Sequence, residues 1–211
     1  LSNVTTISTS TMSEMLEIVN NTGATFTTAT NYAVSISDTS SAANVNTVAG
    51  DTTGVVTATI TTGAVTTTLN AIGNVSASDV ITFTTNDTSV DASDFNALAL
   101  KVDNFTHTSI TGAVTEDAAS VASVATALTT LGGDNAATIT GAISAANLNT
   151  IANATTGVVT ATITNGAVTA TLNAITNVDA NDVITFTTTD TTGVDASDLV
   201  ALSAKVDTFG V

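Results

Sequence analysis

The chain has 211 residues, enough for one large or two ordinary domains with a sizeable core. Its net charge is −16, from 18 acidic residues against Lys101 and Lys205, and it has no arginine; this excludes a nucleic-acid partner or an anionic membrane surface, since both need a basic patch. Cysteine is absent, so disulfides and thiolate chemistry are excluded, and no run of 18 apolar residues offers a membrane span.

Hydrophobic residues make up 43% of the chain but aromatics only 3%. The core must therefore be built from Ala, Val, Ile and Leu, which suit closely stacked regular layers. Charged residues are 9%, against a usual ~25%, so Thr, Ser and Asn make the surface.

In chain order, short β-branched runs read as strands. They are "VTTIS" near Val4, "AVSIS" near Val34, "VVTATI" from Val55, "DVITFT" from Asp79 and "FTHTSI" from Phe105. The series continues with "ATIT" near Ala137, "VVTATI" from Val158 and "DVITFT" from Asp182. Alternation puts Val56, Ala58 and Ile60 on one strand face and Thr57 and Thr59 on the other. Helical patterns lie between the strands. "TSTMSEMLEIVNNTG" carries a capping box, Thr11 with Glu14, and is predicted to stop before Gly23. "DASDFNALALKVDNF" places Phe95, Leu98, Ala99, Val102 and Phe105 at helical spacing. "TEDAASVASVATALTTLGG" predicts a helix that stops at Gly132, and "SAANLNTIANATTG" one that starts at Ser144 and stops before Gly157. "GAVTATLNAI" reads either as a short helix or as an extended corner, because its threonines oppose helix.

A repeat organises this series. Ala42–Thr85 matches Ala145–Thr188 without a gap, at 35 of 44 positions. After the inserted Gly193 the match resumes, Val90–Phe105 against Val194–Phe209. "TTIS", Thr5–Ser8, also lines up with "TSIT", Thr108–Thr111. The expected domains are repeat unit 1, residues 1–104, and repeat unit 2, residues 105–211, continuous and without a linker. Both ends fall within the repeat phase, so the chain is expected to be a window onto a longer array.

Strands about 22 to 30 residues apart leave room for a helical crossover, so neighbouring strands should be parallel. The expected fold class is α/β: a repetitive βα-solenoid with one parallel sheet and short helices on the other side. Strands stack at about 4.8 Å while helix axes need about 8–10 Å, so the helices must be short and Ala-rich. The alternative is an all-β pair of immunoglobulin-like sandwiches, favoured by unit length and opposed by the helical periodicities.

No catalytic, cofactor-binding or metal-ligating residue is assigned, and an enzyme is the least supported class. The single His107 falls in a predicted strand, and its counterpart is Val4. One histidine cannot serve two copies of a Ser/His/Asp set. The aspartates Asp87, Asp91 and Asp94, with Asp190, Asp195 and Asp198, and Asp179 with Asp182, supply enough oxygens to consider Ca²⁺. Neither EF-hand spacing nor a glycine-rich nonapeptide is present. Asp91 and Asp195 read instead as helix N-caps, with Asp94 and Asp198 at the third helical position. No cofactor is expected, and Ca²⁺ stays open as the one candidate ion.

With "TTGVVTATIT", "VDASDLVALSAKVD" and "SAANLNTIANAT" in view, the chain resembles the tandem-repeat regions of very large cell-surface proteins of marine bacteria, cyanobacteria above all. The resemblance implies secretion, a place at the cell surface, a role in surface layers, adhesion or motility, and an association with calcium. It carries over no functional residue. The expected function is a structural segment of an extracellular fibre or cell-surface coat that self-associates end to end. The expected partner is a neighbouring repeat or an identical chain, with no nucleic acid, small-molecule substrate or membrane insertion. Adhesin stalk modules and a Ca²⁺- or ice-binding repeat are the alternatives.

Overall fold

The structure, a computed structural model, describes residues 4–20 and 30–210. The predicted helix stop before Gly23 lies outside these residues. Along the chain run β1 (Thr6–Ser10), α1 (Met12–Val19), β2 (Ala33–Ser40), α2 (Ala42–Asp51), β3 (Val56–Ile60), α3 (Val65–Ala71), β4 (Val80–Thr84), β5 (Val90–Asp91), α4 (Ala92–Ala99) and β6 (Asn104–Thr106). There follow β7 (Val114–Asp117), α5 (Val121–Leu131), β8 (Ala137–Ile143), α6 (Ala145–Ala154), β9 (Val159–Ile163), α7 (Val168–Ala174), β10 (Val183–Thr187), α8 (Ala196–Ser203) and β11 (Thr208–Gly210).

The protein is α/β, and every strand pairing among the described residues is parallel. That overturns the immunoglobulin-like alternative, whose sheets are antiparallel. Two compact units result. One comprises Leu1–Asp87 and Ala97–Ser109 and holds the sheet β1-β2-β3-β4-β6. The other comprises Thr88–Asn96 and Ile110–Val211 and holds the sheet β11-β10-β9-β8-β7-β5. The expected single sheet is therefore two. The break has a local cause: β7 pairs with β5, which lies ahead of α4 in the chain, and not with β6. Thr88 O accepts from Gly112 N–H at 2.7 Å, and Ala113 O from Val90 N–H at 3.2 Å, so the backbone before α4 starts the second sheet.

Within each unit the sheet buries one face. Val56, Ala58 and Ile60 of β3 are buried, as are Val159, Ala161 and Ile163 of β9. Helices α2 and α6 pack on these strands, and α2 buries Val45, Val48 and Ala49 where α6 buries Leu148, Ile151 and Ala152. "GAVTATLNAI" is a helix, α7; its twin α3 is also seven residues long. Each of these two helices buries one Val and one Thr, Val65 with Thr68 and Val168 with Thr171. No helix exceeds 11 residues among those described, in keeping with the tight spacing that stacked strands impose.

Two strands, β6 and β7, differ from the sequence reading. Thr115–Asp117, taken there as the start of a helix, belong to β7, because the strand pairs along its whole length with β8. The helical spacing that reaches Phe105 gives a helix only to Ala99, and Phe105 lies in β6, at the start of the expected strand "FTHTSI" but in one that ends at Thr106, opposite Phe83 with ring centroids 5.7 Å apart. Asp103 enforces this, since its N–H donates to Ile81 O and its carboxylate accepts from Ile81 N–H, both at 3.0 Å. The match of "TTIS" to "TSIT" does not extend to structure. Thr108–Thr111 lie outside any strand, and β7 begins at Val114. Val114 sits opposite Ala137 just as Ile7 sits opposite Val34, so β7 takes the place of β1 four residues later than the repeat offset gives.

The steps of each unit pass one another at backbone contact. A Cβ on Gly54 would lie 2.3 Å from Tyr32 O, and one on Gly157 would lie 2.6 Å from the Asn135 carbonyl. Only glycine fits in either place. Gly73 has open space around it. Gly54→Ala and Gly157→Ala are each expected to destabilise their unit by about 1–3 kcal/mol, as overpacking against rigid atoms does. Gly73→Ala should stay within about 0.5 kcal/mol of wild type. Urea unfolding followed by circular dichroism measures all three.

Candidate functional site

Parallel strands linked by short helices leave backbone N–H groups at strand starts and helix starts without a main-chain acceptor. Here a carboxylate from the following strand–helix step fills the gap, again and again. Asp79 Oδ1 accepts from Val56 N–H at 2.8 Å, and Asp182 Oδ1 from Val159 N–H at 2.8 Å; each lies 23 residues after its donor. Asp103 and Asp207 serve Ile81 and Ile184 in the same way, at 3.0 and 2.9 Å. At helix starts, Asp87 accepts from Val65 N–H and Asp190 from Val168 N–H, both at 2.7 Å and 22 residues apart in sequence. Asp38 accepts from Met12 N–H at 2.7 Å. Glu116 accepts from Ser93 N–H at 3.1 Å and also from the Ser93 hydroxyl. The second oxygens of Asp79 and Asp182 take the Ser76 and Asp179 N–H groups within their own loops.

The two cations do the converse. Lys101 Nζ donates to Val75 O at 2.6 Å and, more distantly, to Ile72 O and Gly73 O just beyond α3. Lys205 Nζ donates to Val178 O in the equivalent loop after α7. A cation at a helix C-terminus answers the negative end of the helix dipole.

Local caps complete the set. Thr11 and Glu14 form the predicted capping box, and the hydrogen bonds from Thr11 hold the Glu14 carboxyl below its ordinary pKa. Asp195 caps α8 through Ser197, and the Ser197 hydroxyl and N–H likewise hold its pKa down. Asp91 accepts from Asp94 N–H at 3.0 Å, the N-cap geometry expected. Asp94 and Asp198 stand at the third helical position, as expected, and Asp198 also accepts from the Thr169 hydroxyl at 2.6 Å. Among the described residues no buried side-chain polar atom lacks a partner, and no three His, Asp or Glu side chains converge where a metal would sit.

The residues of conventional chemistry stay apart. His107 follows β6, half-buried, its ring edge-on to Phe105 at 5.6 Å. Surface clefts are small. One of 260 Å³ is lined by Ala180, Asp182 and Ser203–Asp207, and one of 270 Å³ lies between the start of α2 and α3. The first contains Asp182, Lys205 and Asp207, all three engaged with backbone groups as described.

The outward strand face carries ranks of Thr across the sheet. Thr59, Thr82 and Asn104 are in register in the first unit, and Thr162, Thr185 and Thr208 in the second. The adjacent ranks are interrupted by Val80 and Val183, which are 40% and 48% exposed.

Sequence reading placed the helix-capping roles of Asp91 and Asp195 but missed the cross-step roles of Asp38, Asp79, Asp87, Asp103, Glu116, Asp182, Asp190 and Asp207, and of both lysines. The available signal was the interval between an acid and an earlier strand or helix start, 22 or 23 residues for all of them but Asp38, which lies 26 after Met12. No family model, curated protein or solved structure matches the chain. No described helix is long and apolar enough to cross a membrane.

Asp79→Ala and Asp182→Ala are each expected to cost on the order of 2–3 kcal/mol, because each strands buried N–H groups. Asp134→Ala, at an exposed position with no such bond, should change stability by less than about 0.5 kcal/mol. Denaturant midpoints report the difference.

Tyr32, the single tyrosine, is fully buried and donates its hydroxyl to Asp51 at 2.8 Å. Burial, then the Asp51 hydrogen bond and charge, raise its pKa above the ordinary 10.0. A raised pKa contributes stability that is complete below 10.0 and is lost as pH climbs toward the folded value. Tyrosinate absorbance should therefore appear above pH 10.0, together with loss of dichroism in the first unit, and Asp51→Asn should bring both to lower pH.

Proposed function

We propose that each unit is a short βα-solenoid and that the chain is a structural repeat segment of an extracellular fibre or cell-surface coat, self-associating end to end. On this reading it belongs with the threonine-, alanine- and aspartate-rich tandem repeats of very large secreted surface proteins of marine bacteria. The observation that carries the reading is the constant interval at which one step completes the backbone of the step before it. The interval is 23 residues for Asp79 and Val56, 22 for Asp103 and Ile81, 23 for Asp182 and Val159, and 23 for Asp207 and Ile184. Strand order supports it too, because in both sheets every pairing but the last, β4 with β6 and β7 with β5, joins strands that succeed one another along the chain.

Catalysis is no part of this proposal. The acids that an enzyme would use as bases are committed to N–H groups, and the lysines to carbonyls. The same commitment argues that Ca²⁺ is not needed to hold a unit together. The polar threonine face then meets water, and the partner is a further repeat or an identical chain.

The purified 211-residue chain is expected to self-associate as its concentration rises and to form filaments or sheets visible by negative-stain electron microscopy. Its melting temperature should be the same in calcium and in EDTA. A monodisperse monomer at all concentrations would count against the fibre, and a calcium-dependent melt against the metal-free reading.

A further inference from the structure

The phrase "VDASD" occurs twice, at Val90–Asp94 and at Val194–Asp198, in two different surroundings. At its first occurrence it is covered. Val90 pairs with Val114 and Asp91 with Thr115 of β7. Glu116 holds Ser93, and Asn96 Nδ2 donates to Ser123 O of α5 at 2.8 Å. Val90 is 4% exposed, and Ala92 and Phe95 are fully buried. At its second occurrence the same residues form no strand. Ala196 is exposed, Leu199 in the place of Phe95 is 39% exposed, and Val200 in the place of Asn96 is 69% exposed.

The first occurrence shows what fits the second: a parallel strand followed by a helix, entering as β7 and α5 do. One other step of the chain has that geometry on an unpaired sheet edge. β1 stands beside β2 as β7 stands beside β8, with Ile7 in the place of Val114, and β1 is the terminal strand of its sheet. We propose that Val194–Val200 is the docking surface for a second copy of this chain, which enters with β1 and α1 so that Ile7 of one copy lies opposite Val194 of the other. In this register Thr6 O accepts from Val194 N–H, as Ala113 O accepts from Val90 N–H, and Ser8 lies opposite Asp195, as Thr115 lies opposite Asp91. The contact joins two different patches, so it repeats without closing and propagates a filament. It rests on the self-association proposed above and names the surface that produces it.

The natural absence of cysteine makes the register testable by cross-linking. Ser8 and Asp195 are both exposed. Oxidation of Ser8→Cys/Asp195→Cys should give a ladder of covalent dimers, trimers and higher species. Ser8→Cys/Thr126→Cys, which puts the second thiol on the exposed side of α5, should give at least tenfold less. In parallel, Leu199→Asp/Val200→Asp should sediment as a monomer at concentrations where wild type associates, with unchanged circular dichroism, since both side chains are exposed. Association of wild type with neither the ladder nor any effect of the Leu199/Val200 change would overturn this surface and leave self-association standing. Wild type that stays monomeric throughout would overturn both.

Discussion

The carboxylate–amide bond between successive strand–helix steps is the constraint from which the rest of the structure follows. A strand in a parallel sheet needs an acceptor for its first N–H, and a short helix needs acceptors for its first turn. Chain geometry puts the next strand's own carbonyls slightly out of phase with that need: β4 begins at Val80, one residue after Asp79 has already bonded Val56. A side-chain oxygen makes up the difference. Because the donor is buried or nearly so, the bond is worth more than a surface contact, and leaving it unmade costs more than the bond itself gains.

The unusual charge balance then has a physical reading. An acid that accepts from backbone N–H groups needs no cation beside it, so a chain can carry many carboxylates with two lysines and no arginine. The lysines are placed where carbonyls run out, beyond α3 and α7. Net charge, which would ordinarily be read as a surface property, is here in large part a count of backbone positions being completed.

Much of the fold was legible because periodicity is local. Alternation in "VVTATI" and the caps at Thr11 and Ser144 each concern residues within a turn or a strand, and the structure has them where the sequence puts them. The acids were half legible. Asp91 and Asp195 cap the helices they precede, which is a local relation. Asp79 and Asp103 act on residues 23 and 22 positions earlier, and nothing within a local window marks them. β5 and β7 escaped for a related reason. β5 is two residues long and exists because β7 pairs with it, while Thr115–Asp117 carry a helical spacing that sheet pairing overrides.

The two copies sort positions by what the fold demands of them. Where backbone meets backbone the copies agree: Gly54 and Gly157 at the close approach, Thr52 and Thr155 donating to the carbonyls of Tyr32 and Asn135, Asp79 and Asp182, Lys101 and Lys205. Where a side chain merely fills a site the chemistry changes. Tyr32 reaches Asp51 with its hydroxyl, whereas Asn135 in the same place turns its amide to the carbonyls of Ile110 and Gly112. Both solutions leave no polar atom unpartnered, and both keep the same main-chain path. Phe95 and Leu199 differ too, one buried and one exposed. The invariant part of the unit is therefore the satisfaction of one step's backbone by its successor.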